Sequence, residues 1–523
     1  MNFTLTKSAL AVYPKGMRGW EPPPGSPVGR GIEPPGALPD ESVALPADRL
    51  NASTIPARIV ASWNTVSTRW NPVALIVGAW AVLTLPLVFF RGYNSDEGLA
   101  VVIARTALED GYWLSPHTFN VRFVERPTLL SWIIAAISEP FGQVSQIAAR
   151  LPVALFLLLG CLLIYTLLRK VAASVAAALL GVALFLACPL VMRSYVMITA
   201  DMPLAVLLFL AFVLWWDGYA RGSIVYGRWI AIGLVLALAG LMKGPQPVSY
   251  FALGIGLFVL GSRSWRQIPG LIVAGIVCVI PLAAWYGAVY AQGDEAQWAA
   301  FMRLRPVALL PGPIVASFNL VTETLPAMLC AVLFVVGRRF RGVNSAHPGF
   351  LPAIACYAFT ASLIILFWPG GSTPRYFFPM VLPLCVLGGV GYDSLNARRP
   401  EIVAPVLLLT AGLLIYALGY SVASPFLPAR FRHTQMEATR LTELVQAQPA
   451  PIYTIGATAL NVLPYVPGRI LFVTPGELET VAAPAWVVLP PADADALLSR
   501  PRSNLREVTP SGVQAWRVLR LDR

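Results

Sequence analysis

The chain of 523 residues is 57% hydrophobic and only 12% charged, with a mean hydropathy of +0.67. Its repeated apolar runs of about 20 residues exclude a soluble fold, because only helices can satisfy their backbone groups in lipid over so many separate segments. The formal net charge of +12 does not point to nucleic acid, since the basic residues lie in short clusters between apolar runs, the pattern that orients a membrane protein.

Residues 1–70 contain EPPPGSPVGRGIEPPGALPDESVALP, rich in Pro and Gly and without apolar period. Such a segment cannot bury enough surface to offset chain entropy, so it is predicted to be a disordered cytoplasmic tail. The apolar patch near Ala9 is short and has no adjoining cleavage pattern, so it does not read as a signal peptide. From Pro72 the apolar text predicts about eleven transmembrane helices within a membrane domain spanning 71–422. They fall near 72–90, 149–168, 173–191, 203–219, 229–242, 247–260, 268–290, 314–336, 348–368, 376–392 and 402–422. All six cysteines lie inside these runs without a metal-type pair, and read as small core hydrophobes.

Between the first two spans, residues 91–148 form the most informative loop. It carries an acidic pair, Asp96 and Glu97, and a second charged pair, Glu125 and Arg126. Ionisable groups at a membrane boundary mark chemistry or a substrate path. Asn94-Ser95-Asp96-Glu97 before LAVVIARTAL reads equally as a helix cap with a capping-box glutamate. Thr128 to Phe141 is apolar but short. Placed along the interface as a juxtamembrane helix, it leaves Arg169/Lys170, Arg221/Arg228, Arg263/Arg266, Arg338/Arg339/Arg341 and Arg398/Arg399 all on the cytoplasmic side; placed as a span, it breaks that rule at every later loop.

With that topology Asp96, Glu97, Glu125, Arg126, Asp201, Lys243 and Arg375 collect on the outer face, as does everything after Val422. An outer site has no access to cytoplasmic nucleotide sugars or ATP, so an activated donor must arrive flipped across the bilayer, and a lipid-linked one fits. Residues 423–523 read as a small periplasmic α/β domain: RLTELVQAQ is helix-like, PIYTIG, RILFVT and AWVVLP are strand-like, ADADALLSR is a short helix, and QAWRVLRLDR alternates like an edge strand.

The ordered set SDE after the first span, GYWLSP, ERPTLLSW, AARLP, TADMP, LMKGP and PRYFFPMVLPL, from Tyr93 to Pro383, resembles the bacterial membrane glycosyltransferases of the aminoarabinose transferase and protein O-mannosyltransferase group, within the C-type superfamily. The resemblance implies a polytopic α-helical membrane protein of the C type in the bacterial inner membrane. It implies sugar transfer from a polyprenyl phosphate to an acceptor on the periplasmic face. Two departures stand out. The group usually writes EKP where this chain has Glu125-Arg126-Pro127, which exchanges a point charge for a planar fork, and Gly98 and Leu99 follow the acidic pair where a basic or aromatic residue is usual.

The resemblance moves Asp96 to the role of general base, taking the acceptor's proton as an oxocarbenium-like centre develops, with Glu97 serving catalysis and the cap together. It gives Asp201 a part in orienting substrate. Glu125 either binds sugar hydroxyls or pairs with Arg126. Arg126, Lys243 and Arg375 suit the leaving lipid phosphate, against the alternative of snorkelling to headgroups. Tyr376 either bonds the same phosphate or is an interfacial aromatic. With His117, His347 and His433 far apart in sequence, neither a metal nor another cofactor is predicted. The expected partners are the polyprenyl-phosphate sugar, membrane lipids and an envelope glycolipid such as lipid A or lipopolysaccharide core. A protein O-mannosyltransferase is the alternative within the class, and a lipid or sugar transporter outside it.

Overall fold

The computed structural model describes residues 54–522 except 95–96, 172, 247, 293–311, 337–348, 368–372, 456–459, 461, 500–503, 511–512 and 514–515. Asp96, His347 and the Arg338/Arg339/Arg341 cluster therefore lie outside the described residues, as does the expected tail as far as residue 53. The tail's expected boundary at residue 70 is corrected: Ile55–Arg69 is a helix, α1, whose Trp63 indole donates to the Ala176 carbonyl at 3.1 Å. The Pro/Gly-rich composition had stopped before it.

The first span, α2 (Pro72–Phe90), starts where the Asn71 side chain accepts from the Val73 and Ala74 amides, with Pro72 in the first turn. That cap satisfies two orphan donors. Between α2 and the next span lie α3 (Glu97–Asp110), a two-stranded hairpin of β1 (His117–Thr118) and β2 (Val121–Arg122), and α4 (Leu129–Ser138). At 1.5 Å per residue, α4 covers only about 15 Å, half the hydrocarbon thickness. The bundle continues with α5 (Gln146–Lys170), α6 (Val175–Ala187), α7 (Pro189–Ser194), α8 (Asp201–Ala220), α9 (Tyr226–Lys243), α10 (Val248–Gly261) and α11 (Ile268–Tyr290). It closes with α12 (Gly312–Thr324), α13 (Ala327–Val336), α14 (Phe350–Phe367), α15 (Phe378–Leu395) and α16 (Pro400–Ala423).

Among the described residues, eight helices are long and apolar enough to cross a membrane. The other three expected spans differ from plain crossings. Residues 173–191 break into α6 and α7 because Pro189 has no amide hydrogen and pushes Cys188 to extended backbone, φ −62° and ψ 129°. Residues 314–336 form a pair bent by 96° at Pro326, for the same missing donor. The third, α10, is a short apolar helix, Val248–Gly261.

The most enclosed of the eight, α8 and the span containing α15, lie at the centre of the bundle. Small residues let α15 approach α6: a Cβ on Gly389 would stand 2.8 Å from the Ala177 carbonyl oxygen. The charges separate along α8. Lys170, Arg221 and Arg228 surround Asp217 at 2.7, 2.9 and 3.6 Å near its C-terminal end, while Asp201 begins it, roughly 24 Å away along the helix axis.

After α16 come one turn, Pro428–Phe431, and α17 (His433–Ala447), which covers a sheet. The sheet has the order β4-β3-β5-β7-β6 from β3 (Ile452–Thr454), β4 (Ile470–Phe472), β5 (Ala485–Leu489), β6 (Leu505–Glu507) and β7 (Arg517–Leu521), and α18 (Pro491–Leu498) connects β5 to β6. Period-two alternation sends Trp486 and Val488 of β5 into the core under α17, and Val487 and Leu489 into the core under α18. The last strand is not an edge as its alternation suggested. It pairs antiparallel with β5 and β6, and the edge passes to β6, whose three residues give no readable pattern.

Candidate active site

Glu97 opens α3, and its position corrects the catalytic role expected of it. Its side chain is wholly enclosed and paired with Arg150 at 2.9 Å, where neither side chain is exposed. One oxygen also accepts from the Ile198 amide at 2.9 Å, and the other from the Asn94 amide at 2.7 Å, the reach-back bond of a capping box. Burial pushes this carboxyl up, but the Arg150 and Arg91 guanidiniums and the hydrogen bonds outweigh it and hold the group below its ordinary value. Glu97 lines none of the three cavities that border Arg375. It positions the chain on which Asp96 precedes it.

Arg150 was missed in the sequence, although AARLP contains it. It reaches the carbonyls of Arg91 at 3.0 Å, Gly92 at 2.7 Å and Val196 at 2.7 Å, and so ties the loop after α2 to the loop before α8. A lone arginine at the start of an apolar run carries no sign of such a partner.

A second charged group forms where three helix ends meet. Asp201, 5% exposed, begins α8, and Lys243 at the end of α9 bonds its Oδ1. The Arg375 Nε stands 3.7 Å from the other oxygen, and the Lys243 ammonium lies 4.1 Å from the centroid of the Tyr376 ring. Asp201 thus holds two cations toward one space. Glu125 and Arg126 pair at 3.3 Å, which favours the pairing reading of Glu125, and Arg126 lies over the Phe123 ring at 5.7 Å.

These groups line joined cavities. The smaller, about 70 Å³, lies between α3 and α4 and is bounded by Leu99, Ile103, Arg126, Asp201, Lys243 and Arg375. The next, about 330 Å³, shares those four charged residues and adds Glu125, Gln246, Tyr250, Tyr286 and Tyr376. A third, about 910 Å³, reaches Arg375 from the other side, where Arg193 pairs with Glu323 and Tyr416 and Tyr420 form a wall. Of the residues expected at the site, Glu125, Arg126, Asp201, Lys243, Arg375 and Tyr376 come together. Glu97 lies apart, and Asp96 is outside the described residues. Among the described residues no group of three His, Cys, Asp or Glu side chains is placed to hold a metal.

The profile of the dolichyl-phosphate-mannose-protein mannosyltransferase family matches residues 125–286, which include Arg126, Asp201 and Lys243. The crystal structure of ArnT from Cupriavidus metallidurans bound to undecaprenyl phosphate superposes with a TM-score of 0.68 at 18% identity, over 86% of this chain and 97% of that one. The chain has the fold of that ArnT structure. An oligosaccharyltransferase from Archaeoglobus fulgidus shares this fold more distantly, at a TM-score of 0.50 and 13% identity, over 80% of this chain and 68% of that one. In sequence, an undecaprenyl phosphate-alpha-4-amino-4-deoxy-L-arabinose arabinosyl transferase from Pseudomonas paraeruginosa is 28% identical over 67% of this chain, and one from an Enterobacter strain 24% over 47%. The matches span 64% and 50% of those relatives' own lengths.

Proposed function

We propose that this chain is an inverting glycosyltransferase that moves a sugar from a polyprenyl phosphate to an envelope glycolipid, lipid A or lipopolysaccharide core, on the periplasmic face of the inner membrane. One observation carries the reading: Asp201 gathers Lys243 and Arg375 onto a cavity that Arg126 also lines, a cationic pocket at a span end. Such a pocket suits a lipid whose phosphate sits at the membrane boundary, and the relatives' names supply the donor class.

In this reaction the acceptor hydroxyl attacks the anomeric carbon, the bond from that carbon to the phosphate oxygen breaks, and the hydroxyl proton passes to Asp96. Charge grows on the leaving phosphate, and Lys243, Arg375 and Arg126 stabilise it there. Asp201 fixes their direction. The third cavity, meeting the donor pocket at Arg375, gives the acceptor its approach. Topology follows from the same picture: the Asp201 end of α8 and the C-terminal domain face the periplasm, and the Asp217 end faces the cytoplasm with the basic clusters. Reporter fusions after Tyr420 and within Arg338 to Arg341 should give opposite signals, periplasmic and cytoplasmic.

The donor pocket is tested by Lys243→Met and Arg126→Gln. Each removes charge-assisted hydrogen bonds worth about 1.5–3 kcal/mol, so turnover of a polyprenyl-phosphate sugar should fall roughly tenfold to hundredfold. Asp201 keeps Arg375 in the first variant, so the fold should hold. Unchanged turnover in both variants would make these residues headgroup contacts and remove the basis of the reading. Transfer to a protein hydroxyl in place of a glycolipid is the second reading, favoured by the family profile that matches 125–286. Offering both acceptors to the same purified enzyme separates the two.

A further inference from the structure

From Arg91 to Tyr93 every backbone amide and carbonyl has a hydrogen-bond partner. The Arg91 amide donates to Leu87, and its carbonyl and that of Gly92 accept from Arg150. The Gly92 amide donates to the Phe431 carbonyl at 2.6 Å. The Tyr93 amide donates to the Tyr465 hydroxyl oxygen at 2.8 Å, and the Tyr93 carbonyl accepts from the Thr434 hydroxyl at 2.9 Å. A Cβ on Gly92 would stand 2.8 Å from that hydroxyl, so the close approach requires glycine. Half of these partners belong to the bundle, through Arg150 and α2. The others come from the C-terminal segment.

The grip continues along one strip of the C-terminal domain, residues 465–472. The Tyr465 ring stacks on Tyr93 with centroids 4.5 Å apart, and its hydroxyl donates to Gln146 at 3.4 Å. Arg105 of α3 donates to the carbonyls of Val466 at 2.7 Å and Gly468 at 2.6 Å. Asn120, at the hairpin tip before Glu125, exchanges two bonds with Phe472, at 3.0 and 2.6 Å, and so supplies a substitute strand to the open edge of β4. Beside it Phe119 takes the left-handed conformation, φ 58°, while its ring packs on the domain's core. The strip therefore holds the loop before the acidic pair, the helix after it, and the hairpin leading to Glu125 and Arg126.

We infer that the C-terminal domain is a positioning element of the membrane site, acting through Tyr465, which fixes the Gly92–Tyr93 backbone ahead of the acidic pair. The inference rests on the glycosyl-transfer reading for its kinetic arm only. A base must stand within hydrogen-bond reach of the proton it takes, and a displacement of about 1 Å costs on the order of 100-fold in rate. Tyr465 itself contacts Tyr93 and Gln146, neither of which lines the donor pocket, so its hydroxyl affects turnover rather than donor affinity.

The test is Tyr465→Phe in the full-length protein. Phenylalanine keeps the stacked ring and removes both hydrogen bonds. Amide hydrogen exchange over residues 91–100 should accelerate about two- to tenfold, the loss of one ordinary hydrogen bond. In the transfer assay kcat should fall about tenfold or more with the KM for donor unchanged. Asn120→Ala, which frees only the hairpin, should speed exchange at the hairpin and lower kcat less. Unchanged exchange in Tyr465→Phe overturns the inference whether or not the chain transfers sugar. So does faster exchange with an unchanged kcat, or an effect confined to KM. A wild-type protein that transfers nothing refutes the proposed function instead, and the exchange result still decides whether the strip holds the loop.

Discussion

Asp96→Asn is expected to express, bind the donor and transfer sugar ~100-fold to 10,000-fold more slowly than wild type, the usual cost of a missing general base. Asparagine has nearly the shape of aspartate, and the capping-box bond runs from the Asn94 amide to Glu97, so α3 should start normally. The amide cannot accept the acceptor's proton, and so the loss falls on the chemical step. Transfer at close to the wild-type rate by purified Asp96→Asn protein would show that Asp96 is not the base, and Asp201 would be the next residue to test.

The second large effect is on the fold. Glu97 and Arg150 are fully enclosed, and breaking a buried pair by removing one partner costs about 3–5 kcal/mol because the other charge is left uncompensated. Glu97→Ala and Arg150→Met should each lower the unfolding midpoint steeply in detergent. The double replacement Glu97→Met with Arg150→Met should recover part of the loss, since an apolar pair carries no desolvation penalty. The recovery is limited by the Arg91, Gly92 and Val196 carbonyls that Arg150 also serves. The pair also sets a pH dependence. The folded Glu97 carboxyl ionises below its ordinary value, so its contribution is present above that ordinary value and is lost as pH falls through the depressed one. Wild type should therefore lose stability on acidification, and the double variant should lose less. Equal acid sensitivity in both proteins would contradict this role.

Much of the bundle was legible because lipid imposes one rule, long apolar runs with charges at their ends, and that rule is written residue by residue. The breaks at Pro189 and Pro326 were less visible, since apolar composition continues through both prolines while the helix does not. At the site, Arg126, Asp201, Lys243 and Arg375 were recognisable as charges out of place in apolar text. Glu97 was recognisable as a capping-box glutamate but not as the partner of Arg150. Whether a carboxylate beside a helix start faces a cavity or an arginine 53 positions further along the chain depends on tertiary packing, and no local pattern records it. Tyr465 was invisible for the same reason, as an ordinary aromatic in the C-terminal domain 372 positions from the amide it holds.

The central claim is sugar transfer to an envelope glycolipid, and mass spectrometry of lipid A and core from a deletion strain tests it most directly. The expected result is the loss of one sugar mass, restored by the wild-type chain and not by Asp96→Asn. Identical spectra from the parent and the deletion strain, under conditions where the protein is produced in the parent, would contradict it.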